Sequence, residues 1–359
     1  MYYGTGALGS VTIGSNTTLT ARESHYTNLT VNAGITLTIP DGSFLFVSGT
    51  LTLNGTIKVQ GAAGGAGGYI NPNTYAGSGG NGGAAGGSAL IQAATVAGSG
   101  TINASGDNGS AGSPNTGVQQ NSSSTSGVSG ASGSLVVSPT FKSNGQQAVS
   151  GQYGALPTVP AAYYGIADDL ISYNSVQYSV LLNDYLFSGF SRFPVLVSAG
   201  SGSGGVSGTS DNSGNGQGGA GGAGGSSFGA GGKQGRANAA AGYYYYEGCG
   251  GGGGGGAGGL IILGSENITG SISINANGGN GGAAGNRTAD GNTGCPGGAG
   301  GGGGGGGVYV IANKMVSATA NGGTAGTFVA GSGYGAGLAL PAEDGKQGLI
   351  SFVSVGLFK

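Results

Sequence analysis

Charge and histidine are scarce in this sequence, tryptophan is absent, and helical signals are nearly so, because glycine and β-branched residues are abundant. Only 6% of its 359 residues are Asp, Glu, Lys or Arg, and ten basic against twelve acidic residues leave a net charge of −2. The Lys and Arg residues are scattered singly and form no basic stripe to neutralise a phosphate backbone, which excludes nucleic acid as a partner. With one histidine, His25, and no clustered carboxylates, there is no acid–base pair and no zinc-type ligand spacing. No enzyme, no cofactor and no metal site is therefore expected. Apolar runs such as "LIIL" and "VYVIA" stop at strand length, short of the roughly 18 residues that a membrane-spanning helix needs. The opening "MYYGTGALGSVTIGS" has no basic residue ahead of an apolar stretch and no small-residue cleavage site, so no secretory signal is read there.

Glycine is what the sequence has most of: 91 residues, near one in four against a background of roughly 7%. Collagen is excluded because prolines number only nine and no Gly-X-Y register persists. Disordered chains combine high charge with low hydrophobicity, whereas here low charge accompanies 37% apolar residues, so the chain is expected to fold. Its surface must then consist of Asn, Ser, Thr and backbone, a composition suited to a particle or an extracellular setting.

Residues 10 to 60 alternate apolar with Thr, Ser or Asn, and turn residues arrive every six to ten positions (Asn32 to Gly34, Pro40 to Gly42, Asn54 to Gly55). This predicts short strands in a solenoid-like or meandering layer, with Val31, Ile35, Leu37, Ile39, Leu51, Leu53, Ile57 and Val59 facing inward. Residues 159–198 differ, being poor in glycine and rich in Tyr, Leu and Phe. They read as an inserted lobe holding any short helices, within Ile166 to Tyr185.

A repeat emerges when strand ends are aligned. "TIKVQGAAGGAGG", "TINASGDNGSAG", "SINANGGNGGAAG" and "SATANGGTAG" share a strand, a small polar residue and a glycine-rich run. Gln60, Ser105, Asn277 and Asn321 are then equivalent, with Ser150 a weaker copy, and the interval from 105 to 277 has room for about four units. The fold class expected is all-β: a solenoid-like start followed by stacked glycine-rich (polyglycine II) and short-strand repeats of about 45 residues. The division is 1–60 as a β-rich attachment region, 61–158 glycine-rich, 159–198 the Tyr-rich insert, and 199–359 glycine-rich with a C-terminal strand.

Within the glycine runs, other residues fall three apart: Ala63 and Ala66, Ala220 and Ala223, Asn280 and Ala283. Three is the period of the extended left-handed polyproline II helix. With two of three faces lacking Cβ, such helices approach closely enough to exchange backbone hydrogen bonds, as burial of the backbone demands. The competing reading is that the runs are flexible linkers.

The stretches "GGNGGAAGG", "GGAGGAGG" and "GGAGGGGGGGG", separated by variable segments, resemble the tail-fibre tip adhesins of T-even-type bacteriophages. In those proteins a polyglycine-II sandwich displays receptor-reading loops. The resemblance covers about 61–335, and the Tyr-rich insert and strand-rich start depart from it. It implies a non-enzymatic virion component, a fibre, spike or adhesin located on the virion, whose partners are other virion subunits and a host-surface glycan or protein. The second reading is a secreted subunit of a bacterial or archaeal filament or surface matrix. Both are compatible with a homo-oligomer.

The candidate receptor-binding residues are aromatics in glycine surroundings: Tyr243, Tyr244, Tyr245 and Tyr246 in "AGYYYYEG", Tyr69 and Tyr75 in "YINPNTY", and Tyr334 in "TFVAGSGYGAG". Tyrosine offers a large rigid face and a hydroxyl at small entropic cost. Cys249 and Cys295 each precede a glycine run that leads into a strand. They are a disulfide candidate on adjacent layers.

Overall fold

The computed structural model describes residues 3–68, 77–114, 199–208, 218–235, 249–285, 297–328 and 341–354. Two sheets carry all the strands found there. The eight-stranded sheet contains β1 (Ser10–Ile13), β3 (Glu23–Tyr26), β4 (Asn28–Val31), β6 (Ser43–Leu53), β8 (Ala89–Ala97), β10 (Leu260–Ile268), β12 (Gly307–Ala312) and β14 (Leu349–Ser354). The six-stranded sheet contains β2 (Thr17–Thr18), β5 (Thr36–Pro40), β7 (Thr56–Gln60), β9 (Thr101–Asn103), β11 (Ser273–Asn275) and β13 (Ser317–Thr319).

Every strand pair is parallel, the mode otherwise typical of α/β sheets, yet no helix occurs among the described residues. This overturns the expected all-β class of a solenoid-like start followed by stacked repeats of about 45 residues. Seven strands, β1 to β7, precede the first glycine run and the other seven are interleaved with the runs, so that one pair of sheets runs from Ser10 to Ser354. The reason is connectivity: parallel strands need a crossover between them, which among β1 to β7 is made by a strand of the other sheet with its turns, and after β7 takes in the glycine runs. The room for about four units between 105 and 277 is corrected too. β9 pairs directly with β11, Ile102 beside Ile274, and the Asn277 amide donates to Ser105 Oγ at 3.2 Å.

The core lies between the sheets. Leu29, Val31, Leu51, Leu53, Ile91, Leu263 and Val310 from the larger sheet meet Leu37, Ile39, Ile57, Ile102 and Ile274 from the smaller. Of the residues expected to face inward, Ile35 alone is only partly buried, packed against this core; the others are exposed by 1% or less. β-Branched residues fit such pleated positions, and alternate residues of the smaller sheet, such as Thr36, Thr56 and Thr101, face outward.

Beyond the sheets the glycine runs form a hydrogen-bonded lattice of extended chains. The run 249–259 shows its construction. Gly250, Gly253, Gly256 and Gly259 donate to the carbonyls of Ser113, Ser110, Asp107 and Ala104; Gly251, Gly254 and Ala257 donate to Val206, Ser203 and Gly200; Gly252, Gly255 and Gly258 donate to Gly298, Gly301 and Gly304. Three more segments donate to it, through Gly80 and Gly83, Gly279 and Gly282, and Gly219 and Gly222. Each third residue thus addresses the same neighbour, and six neighbours close a ring around the run. The run 297–306 is enclosed in the same way, by 219–225, 252–258, 276–282, 320–326, 343–346 and 229–235.

Three layers result. The middle one, 77–87, 249–259, 297–306 and 341–348, leads into β8, β10, β12 and β14. One flanking layer, 104–114, 276–285 and 320–328, continues from β9, β11 and β13. The other comprises 61–68, 199–208, 218–225 and 229–235. Glycine content follows the number of covered sides. In 104–114, glycine stands only at 106, 109 and 112, where a Cβ would strike the carbonyls of Gly256, Gly253 and Gly250. The enclosed runs hold the seven glycines 250–256 and the eight glycines 300–307, because on them no side is open to a side chain.

Candidate functional site

The lattice has two ends. Ala104, Gly259, Ala276, Gly306 and Gly348 stand next to strands. At the far end, ten or so residues along each chain, Gly68 lies level with Gly79 (Gly79 amide to Gly68 carbonyl, 2.9 Å) and Gly77 with Gly208 (2.8 Å). In the same way Ser113 lies level with Gly250 (3.0 Å), Cys249 with Gly219 (2.9 Å), Gly285 with Gly297 (3.1 Å), Gly235 with Ala299 (2.8 Å) and Thr327 with Ala284 (3.0 Å). At a rise of about 3.1 Å per residue, this far face stands roughly 30 Å from the sheets.

Nearly all the interruptions of the described chain have their flanks here: 68 and 77, 208 and 218, 235 and 249, 285 and 297, 328 and 341, and residue 114. Only Ala199, which follows the long undescribed stretch, resumes at the strand end, one residue from Gly200 under Ala257. The pattern follows from chain order. A strand enters the lattice, the chain runs to the far face, and the next glycine run brings it back to a strand in the other direction.

The candidate residues Tyr69, Tyr75, Tyr243, Tyr244, Tyr245, Tyr246 and Tyr334 lie outside the described residues, as do Ser150, Cys295 and the insert 159–198. By sequence, Tyr69 and Tyr75 fall between Gly68 and Gly77, Tyr243 to Tyr246 between Gly235 and Cys249, and Tyr334 between Phe328 and Pro341. Cys249 is fully buried where the central chain begins; the disulfide candidate, which needs Cys295, falls outside the described residues.

Polar side chains that do line the described lattice are engaged in holding it. Ser78 Oγ donates to Ser113 Oγ at 3.1 Å, and Asn81 Oδ1 accepts from the Gly67 amide at 2.8 Å. Along the layer that continues the smaller sheet, Asn108 Oδ1 accepts from the Asn280 amide (2.8 Å) and Asn280 Oδ1 from the Thr324 amide (2.9 Å). Asn277 Oδ1 accepts from the Asn321 amide at 2.9 Å. In the sequence Asn280 stands out only as a non-glycine residue of the three-residue period, and Asn277 and Asn321 only as equivalent repeat positions. Their spacing holds the signal, since an amide on the open side of one chain sits where a further chain's carbonyl would otherwise be.

His25 has a structural setting. Its Nδ1 accepts from the Thr5 amide at 3.1 Å, which assigns the proton to Nε2, 2.8 Å from Glu23 Oε1. Its ring lies 5.0 Å from that of Phe46. Among the described residues no three His, Cys, Asp or Glu side chains gather in a metal-binding group, and no helix is long and apolar enough to cross a membrane. Burial and the neighbouring Glu266 carboxylate push the Tyr3 phenol well above its ordinary range, and burial alone does the same for Tyr309. Tyr309 packs edge-on against Phe228, with ring centroids 6.2 Å apart.

Set against family models, curated proteins and solved structures, the chain finds no match in any of the three comparisons.

Proposed function

We propose that the protein is a non-enzymatic display protein, a fibre, spike or tail-fibre adhesin of a virion, that presents tyrosine-bearing segments to a host-surface glycan or protein. One observation carries the reading: the flanks of the Tyr-bearing segments meet on a single face of the glycine lattice, away from the sheets. A rigid base spends little of the binding energy on ordering itself, and tyrosines at its rim add contact area at small entropic cost. The lattice suits such a base because its backbone groups are bonded laterally, so that its hold on the far face does not depend on side chains there. The second reading, a filament subunit joined through strands at both ends, has less support because residues 3–9 cover β3, the strand opposite β14 across the larger sheet, and leave only the four-residue β1 as an edge there.

The test is binding of the whole protein to an array of bacterial-surface glycans and to whole cells. One variant replaces Tyr243 to Tyr246 by Ala; a second replaces Tyr69 and Tyr75. The reading expects a specific ligand, at least a tenfold loss of affinity in one variant, and an unchanged melting temperature in both. A protein that binds no surface, or whose binding neither variant alters, would overturn it.

A further inference from the structure

The core of the larger sheet runs in straight columns across the strands. One column is Leu45, Ile91, Leu263, Val310 and Phe352, each beside the next in register. The first four are exposed by 1% or less, whereas Phe352 is 38% exposed. Ile350, beside Val308 in the adjoining column, is only partly buried. The column opens at β14 because that strand overhangs: β13 is the last strand of the smaller sheet among the described residues. The opposite end of the same column is closed. There Leu45 meets Ser24 of β3, and residues 3–9 cover β3. Leu8 donates to the His25 carbonyl (2.8 Å), Thr27 donates to the Gly9 carbonyl (2.8 Å), and left-handed glycines at 4, 6 and 9 shape the turn.

Among the described residues nothing pairs with the outer backbone edge of β14. Leu349 donates inward, to Gly306 at 2.9 Å, so by alternation Ile350, Phe352 and Ser354 aim their amides and carbonyls away from β12. Natural edge strands are usually protected by charge, proline or a bulge. The segment "LISFVS" has no charge and no proline, and its register with β12 is unbroken.

We infer that β14 is a dimerisation edge, on which a second copy of this chain lays its own β14 antiparallel. Head-to-tail addition is disfavoured because β3, the strand in line with β14 across the larger sheet, is covered, and the remaining edge there, β1, is out of line with β14. A strand paired with itself about a two-fold axis needs no second surface, and it must not oppose like charges, a condition this neutral strand meets. With the axis at Phe352, that residue faces its own copy as a hydrogen-bonded pair, and Ile350 faces Ser354 of the second copy. Every outward amide then finds a carbonyl. The two Phe352 rings, on the core face of adjacent strands, lie side by side over the open end of the column. The contact is small for a protein interface, so the dimer is expected to be weak and reversible. This inference is independent of the display function.

Sedimentation of the full chain from about 1 to about 100 μM, a range that brackets affinities of small interfaces, is the test. A monomer–dimer equilibrium is expected. Phe352→Pro removes the central outward donor without removing a bond to β12, and Phe352→Lys sets like charges across the axis. Both should raise the dimer Kd roughly tenfold or more while leaving the melting curve near wild type. A wild type that stays monomeric, a dimer that survives both variants, or species that keep growing beyond dimer would overturn the inference. So would stronger dimerisation after deletion of residues 355–359, because the chain's own C-terminal residues would then be the edge's occupant.

Discussion

The amide of Gly255 donates to the carbonyl of Gly301 at 2.9 Å, joining the middles of the two chains that the lattice encloses on every side. Neither residue has room for a side chain. A Cβ at Gly255 would strike the Gly279 carbonyl, and one at Gly301 the Gly232 carbonyl.

Gly255→Ala is therefore expected to destabilise the fold by about 3 kcal/mol or more, because the obstacle is bonded backbone rather than a side chain that can turn aside. The entropic gain of about 0.4–1 kcal/mol from a stiffer unfolded chain offsets only part of this. Ala283→Ser, on the open side of 276–285, should change stability by less than about 0.5 kcal/mol. Thermal melts compare the two, and hydrogen exchange adds a check on the wild type: the amides of 251–258 should exchange as slowly as those of β10. Equal melting of both variants, or exchange at free-peptide rates, would contradict an enclosed glycine interior.

Much of this architecture was legible, though not its assembly. The alternation of Thr with Val, Ile or Leu across 28–60 marks strands, and the three-residue spacing of Asn277, Asn280 and Ala283 marks an extended chain with one open side. What composition cannot show is which chain covers which. Ile102 and Ile274 lie 172 positions apart and still pair directly, and a lattice bonded mostly through backbone carries little side-chain code for which chains become neighbours. The convergence of the interruptions on one face was available in principle. Runs such as 61–68 and 77–87 have a strand on one side only, β7 before the first and β8 after the second, so whatever joins those two runs must start away from the strands. The parallel pairing was hidden because alternation reads the same in either direction.

The asparagine ladder makes a second, smaller prediction. Asn280 Oδ1 satisfies the Thr324 amide at 2.9 Å at an exposed position. Asn280→Ala should cost about 0.5–1.5 kcal/mol, the net worth of one such bond. Asn280→Asp, which keeps an acceptor oxygen, should recover most of it. Denaturant unfolding of the pair reads the difference, and an Asp variant as unstable as the Ala variant would mean that the side-chain oxygen is not what matters.

The buried phenols are expected to make the fold less stable at alkaline pH. Tyr3, Tyr26 and Tyr309 all have pKa values raised above the ordinary 10.0, with burial the largest cause in each. Above pH 10 the unfolded chain releases these protons while the folded chain retains them. The folded state then binds more protons, and stability falls as pH rises. Melting temperature should thus be flat from pH 8 to about 9.5 and decline beyond about 10. Tyr309→Phe should flatten part of that decline, since it removes one retained proton and leaves the edge-on packing against Phe228 in place. A variant whose alkaline melting curve overlays that of the wild type would show that Tyr309 ionises as freely in the fold as out of it.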